Sequence, residues 1–262
     1  MIKIKKLVAA ITCITMLCFV TNVQAKAESI LEKTVFVDGI EYSIYVEDST
    51  NNVIVETVGL EKNSEMIITP EGDARATIFD ENSEVKEYDL EINELTEEDV
   101  EVVVKDNGNV VEEFTSSEDL QADKYVGQSV IVVGGTIVVG SLLTALLYAS
   151  LALVIAGVTC YAIDAIIHVV RNTNFYYKAY RRLNTVFVNP ISIPYSQAVN
   201  RIKAGADVYT YFSTPARNIV VATGLGVTPS ENHRKWYSIG TFFDHYHTEN
   251  RNGAHSFYGL PK

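Results

Sequence analysis

The chain has 262 residues, a net charge of −12 at pH 7, 47% hydrophobic and 21% charged residues. That is enough length and apolar content for one large or two modest folded domains, and it excludes a disordered or collagen-like chain. Three cysteines, two of them in the leader described next, exclude an intrachain disulfide framework.

Residues 1–25 read as a secretory signal peptide. Lys3, Lys5 and Lys6 precede an apolar run from Leu7 to Val20, and Val23 and Ala25 supply small residues for cleavage. The run is shorter than the roughly 20 residues of a membrane span, so the expected location is secreted or cell-membrane associated. Cys13 and Cys18 would leave with the leader. Cys160 lies in an apolar run, where a buried, inert thiol is expected.

Residues 28–118 form an acidic β-rich domain by pattern. Apolar and polar residues alternate in TVFVDGIEYSIYVED, with Asp38-Gly39 as a hairpin turn, and the alternation continues in MIITPEGDARATIFD, EVKEYDLEI and VEVVVKDNGNVVEEF. From Glu28 to Asp123 there are 28 acidic and 5 basic residues. The carboxylates are spread along strands and turns without a converging partner, which describes a solvated face.

Residues 126–170 are the apolar segment. No charge occurs over the 38 positions from Val126 to Ile163. As one helix they would run about 57 Å, nearly twice a hydrocarbon core of about 30 Å. Three arrangements are open: two helices bent near Gly140-Ser141 as a membrane hairpin, one span over 141–158 preceded by a β-branched stretch, or a buried helical core. Arg171, Lys178, Arg181 and Arg182 follow the segment, so a single crossing would place the basic end on the cytoplasmic side. Asp164 and His168 share a helix face at its end.

Residues 190–262 read as a small basic α+β domain. A helix is expected from near Ser196 to Gly205, a strand over 207–212, a second helix closed by Gly224, and two last strands in YSIGTFFDHYHT and AHSFYG. From Arg171 to Lys262 there are 11 basic and 4 acidic residues. This basic end suits an anionic target, and the acidic region could mask it by charge. The expected fold is therefore an α+β multidomain chain: an N-terminal antiparallel β domain, a central apolar helical segment with a transmembrane option, and a C-terminal α+β domain ending in a β-hairpin.

Chemistry concentrates at the end, where His245, His247 and His255 fall within 244–259. His245 and His247 are two apart and share one strand face. A two-residue turn at Asn252-Gly253 would point His255 away, whereas a three- or five-residue loop would set His247 across from His255 and bring three imidazoles together. Such a trio suits a zinc-type divalent metal with three nitrogens and an open position. It equally suits metal-free phosphodiester cleavage by an imidazole acid and base. Glu231 and His233 form a second polar pair, and Arg217, Arg234, Lys235 and Arg251 are available for phosphate. Catalytic candidates are thus His245, His247, His255, Glu231 and Arg251, with the histidines also the metal candidates. Ser196 lacks a matched base and Cys160 is apolar in context, which argues against covalent catalysis. The GLG at 224–226 is too short for a phosphate loop, so no nucleotide cofactor is expected.

Ala198, Ile202, Gly205, Asp207-Val208-Tyr209, Ala216, Gly224, Pro229, Glu231, His245-Tyr246-His247 and His255-Ser256-Phe257-Tyr258-Gly259 together resemble a C-terminal domain of secreted Gram-positive toxin-like proteins and polymorphic toxins. The resemblance covers 190–262, and the layout of leader, acidic β region, apolar stretch and tail is similar to short members of that family. It implies a toxin of interbacterial competition with a cognate immunity protein, and no fixed reaction. The expected function is a toxin whose basic domain acts on nucleic acid through the histidines. The alternative is a membrane-permeabilising toxin with the tail as a binding module; a surface protein with a structural metal is a third.

Overall fold

A computed structural model describes residues 29–60, 62–79, 84–120, 135–171, 175–182, 185–232 and 242–262. The leader, His233, Arg234 and Lys235 lie outside the described residues. The alternating region folds as eight strands: β1 (Ser29–Val37), β2 (Ile40–Glu47), β3 (Val53–Thr57), β4 (Glu65–Ile68), β5 (Asp73–Phe79), β6 (Val85–Leu95), β7 (Val100–Asp106) and β8 (Asn109–Phe114). They pair antiparallel in chain order. In β5, Ala74, Ala76 and Ile78 are buried while Asp73 and Arg75 are exposed, as a period of two requires. The acidic face is the wet one.

The apolar segment differs from expectation. Gly135–Ala149 is helix α1, and its Val139, Leu142, Leu143 and Leu146 are fully buried against the core face of the first strands. Each such side chain contributes about 1.5–3 kcal/mol on burial. At about 22 Å the helix is too short for a bilayer, and among the described residues no helix is long and apolar enough to cross a membrane. Gly140 sits inside α1, against Phe114, and is no bend. Lys33 Nζ donates to the Ala149 carbonyl at 2.8 Å and satisfies the helix end.

After α1 the chain turns into a tight hairpin of β9 (Ala152–Ile155) and β10 (Val158–Ala162). Its two turn residues, Ala156 and Gly157, both have positive φ, the geometry that matches strand twist. Helix α2 (Ile163–Val170) follows. Asp164 and His168 both lie on this helix, and His168 Nε2 is 3.6 Å from Asp48, on the turn after β2. From Gly135 on, the apolar run is a buried helix plus a buried hairpin, because the same lack of charge serves a sheet core as well as a bilayer; its first part, 126–134, lies outside the described residues.

A second hairpin, β11 (Tyr176–Arg182) and β12 (Thr185–Ile193), was not expected from sequence; it joins β10 through β12 and β13 (Val208–Thr210) through β11. Helices α3 (Tyr195–Lys203) and α4 (Ser213–Ala222), then β14 (Asp244–Tyr246) and β15 (Ser256–Tyr258), complete the chain. All the strands belong to one 15-stranded sheet, running β1 to β6, then β9, β10, β12, β11, β13, β15 and β14, with β7 and β8 branching from β6. A large sheet, and not a central helical segment between domains, is therefore the frame. One core runs from Val37 through α1 to Tyr209, Phe243 and Phe257. A smaller one places Ala198, Ile202, Ile219 and Val220 of α3 and α4 on the other face of β13.

Besides the packing of α1, the acidic strands meet the rest through a strand pairing and the turn at 69–72. Leu95 of β6 pairs with Val154 of β9, Thr159 Oγ1 donates to the Thr69 carbonyl at 2.6 Å, and Asn189 Nδ2 donates to the Pro70 and Thr159 carbonyls. Gly72 has φ +99°, and a Cβ there would stand 2.1 Å from the Gly157 carbonyl oxygen. Gly72→Ala is expected to destabilise the protein by roughly 2–4 kcal/mol through backbone strain and collision, checked by denaturant unfolding; a wild-type midpoint would contradict this packing. Cys160 is fully buried, and burial pushes its thiol up to about 12. Alkylation at pH 8 should leave the Cys160 peptide unlabelled in the native chain and label it in denaturant, read by mass spectrometry.

Candidate metal centre

The site is built by strand register. β14 and β15 pair Asp244 with Tyr258, His245 with Phe257 and Tyr246 with Ser256. Extended by one position, this register sets His247 across from His255, the pairing that a longer loop demands. The connection turns through Arg251 at φ +46° and Gly253 at φ +97°. Asn252 fastens it: its Nδ2 donates to the Ile202 carbonyl at 2.8 Å, and its Oδ1 accepts from Thr248 Oγ1 and the Ala254 amide. β13 runs parallel to β15 on the other side, pairing Tyr209 with Phe257.

The three rings consequently share one face. Ring centroids are 4.8 Å apart for His245 and His247, 5.0 Å for His245 and His255, and 4.4 Å for His247 and His255. His255 stacks on Phe257 at 5.2 Å. All three side chains are buried, and one nitrogen from each lies within 4.8 Å of the other two, a set that could hold a metal ion. Nitrogens on a tetrahedral ion at about 2.0 Å stand roughly 3.3 Å apart, so ligation would draw this set together.

Each ring is also oriented from behind. His245 Nδ1 lies 2.9 Å from the Phe243 carbonyl, His247 Nδ1 lies 3.0 Å from the Ala254 carbonyl, and His255 Nδ1 lies 3.0 Å from Asp207 Oδ1. A carbonyl or ionised carboxylate only accepts, so Nδ1 donates and the lone pair of each neutral ring is on Nε2. Three imidazoles fixed in one tautomer by outer partners are the usual support of a metal ligand set. Burial, then the neighbouring His255, holds His247 below the ordinary imidazole range and favours its neutral form.

Glu231 and Arg251 lie at the edge of the trio. Glu231 forms an antiparallel bridge with His245, its amide donating to the His245 carbonyl at 2.9 Å. Its carboxylate accepts two hydrogen bonds from Arg251, which hold it below the usual carboxylate range; His247 and His245 act in the same direction. Thus His245, His247 and His255 come together and Glu231 with Arg251 adjoins them. Arg217 is elsewhere, on the exposed side of α4. Two other cations of the basic end are paired, Arg181 with Asp207 and Lys262 with Asp244.

Asp207 is the residue that sequence reasoning left outside the site. Its signal was available: it is one of 4 acidic residues in the basic end and it opens an apolar strand. No family model matches the chain, and no match was found among curated proteins or solved structures.

His247 gives a pH prediction. Its folded value lies below the unfolded value of about 6.5, so the unfolded chain takes up the proton first. The stability from keeping it neutral is complete above about pH 6.5 and declines as pH falls from there toward the folded value. The metal-free chain should lose thermal stability between pH 7.5 and 5, and His247→Gln should flatten that slope; equal slopes would contradict the assignment.

Proposed function

We propose that the chain is an exported toxin whose C-terminal part, residues 190–262, is a metal-dependent hydrolytic module acting on nucleic acid. The observation that carries the reading is the buried trio of imidazoles, each oriented through Nδ1 with its lone pair on Nε2. His245, His247 and His255 would hold a divalent ion of the zinc type. When bound, such an ion supplies Lewis-acid polarisation of a phosphoryl oxygen and a nucleophile at neutral pH. Glu231, ionised beside the trio, would take the proton of the attacking water as its oxygen bonds to phosphorus, while one P–O ester bond breaks and the leaving oxygen takes a proton from solvent. Arg251 orients that carboxylate through its two hydrogen bonds, and its exposed guanidinium would meet phosphate.

The toxin role rests on the resemblance of 190–262 described above, and the nucleic-acid target on the separation of charge. The acidic strands and the basic end share one sheet and one core. Masking of one by the other would therefore act through field strength and not through a detachable lid.

A structural clip is a second reading, favoured by the low exposure of the rings, 3%, 5% and 7% for His245, His247 and His255. Zinc-loaded and chelator-stripped full chain incubated with single-stranded RNA and DNA separates the two. Hydrolysis should appear only with metal, fall below detection in His247→Ala, and fall about 10²–10⁴-fold in Glu231→Gln, with the stripped chain still folded by circular dichroism. Metal-dependent melting without cleavage supports the clip. Cleavage that survives both chelation and His247→Ala overturns the proposal.

A further inference from the structure

Of the three ring partners, one differs in kind. Two imidazoles are held by neutral backbone carbonyls, while His255 is held by a buried carboxylate, with Asp207 itself 7% exposed. Asp207 Oδ1 accepts from both the His255 amide at 2.7 Å and His255 Nδ1 at 3.0 Å. Its second oxygen accepts from Arg181 Nε at 2.7 Å. The Asp207 backbone is fixed as well: its carbonyl accepts from Arg201 Nε at 3.2 Å, from the second Arg201 nitrogen at 3.1 Å and from the Ala179 amide at 3.3 Å. Arg181 reaches further, donating to the Gly253 carbonyl at 3.1 Å. Gly253 precedes Ala254, whose carbonyl orients His247.

A buried carboxylate is costly unless it is paired and hydrogen-bonded. Here the pairing has a direction: Arg181 satisfies one oxygen from strand β11, and the other is left to two donors of a single histidine. From this arrangement we infer that Asp207 is the positioning residue of the metal centre, setting the orientation and donor strength of His255. Arg181 serves as the partner that fixes Asp207 and the 253–254 loop together. The inference rests on the metal reading above and names the residue on which the ligand set depends from outside. A carboxylate behind an imidazole raises the basicity of the ligating nitrogen as well as aiming it, which a backbone carbonyl does less strongly. His255 is accordingly the strongest donor of the three.

The test has two arms on the full chain, with Asp207→Asn, Arg181→Gln and a control carboxylate variant, Asp244→Asn, whose partners are Lys262 and Asn232 at the other end of β14. In the metal-free chain, long-range proton–nitrogen NMR reads each ring's tautomer. Wild type should show His255 protonated on Nδ1. Asp207→Asn should shift His255 toward a mixture while His245 and His247 keep theirs. A residue that merely held the fold would disturb all three or none. In the second arm, titration with Co²⁺ alone should show affinity about 10–100-fold lower for Asp207→Asn, a smaller loss for Arg181→Gln and none for Asp244→Asn. Where Asp207→Asn does not fold, Arg181→Gln carries both readouts, with the same direction expected.

Wild-type tautomer and wild-type Co²⁺ affinity in the Asp207 variant, or in Arg181→Gln where that variant stands alone, would overturn the inference. A wild-type chain that binds no Co²⁺ would overturn the metal reading instead, and the His255 tautomer would still decide whether Asp207 orients that ring.

Discussion

Everything at the candidate site depends on the double pairing of β15, antiparallel to β14 on one side and parallel to β13 on the other. The antiparallel register fixes which histidines share a face. The parallel register sets the residue just before β13, Asp207, beside the residue just before β15, His255. A slip of one residue would send every side chain of β15 to the opposite face, moving His255 and Phe257 toward α4 and Ser256 toward the main core. Two contacts resist such a slip: Ser256 Oγ donates to the Ala216 carbonyl at 2.8 Å, and Tyr209 Oη donates to the Gly259 carbonyl at 2.9 Å.

The surrounding sheet explains why so short a pair of terminal strands is ordered. β14 and β15 have three residues each, too few to stand alone in water. They are held because β13 continues into β11 and β12, whose pairing reaches the β9–β10 hairpin and from there the acidic strands. The outer side of β14 is closed by the Glu231 bridge and by the Thr228 amide, which donates to the His247 carbonyl at 3.0 Å. A cation in the site, when present, would sit at the end of a continuous hydrogen-bonded frame and not on a free loop.

Much of this was legible in the sequence where a period or a turn residue speaks locally. The alternation in the acidic region, the turn at Asp38-Gly39, α3 before Gly205 and α4 before Gly224 all follow from short-range chemistry. The histidine register was narrowed to two alternatives by arithmetic alone, and the loop around Asn252 decided between them. The charge-free run was not legible. Apolarity reports exclusion from water without saying whether lipid or protein excludes it, and the turn at Ala156-Gly157 carries only one glycine as a signal. The β11–β12 hairpin was hidden because Lys178, Arg181 and Arg182 interrupt its apolar pattern; Arg181 is spent on the buried Asp207, a long-range pairing that no local window contains. Asp207 stands out locally as one of few acids in the basic end, but its role is not local, since its partner is 48 positions away.

The most direct measurement is the metal content and ligand shell of the purified full chain after zinc loading, by native mass spectrometry and X-ray absorption. One zinc per chain with three imidazole nitrogens at about 2.0 Å is expected, reduced to substoichiometric occupancy in His255→Ala. A chain that retains no zinc, or holds it through oxygen ligands with the His255 variant unaffected, would contradict it.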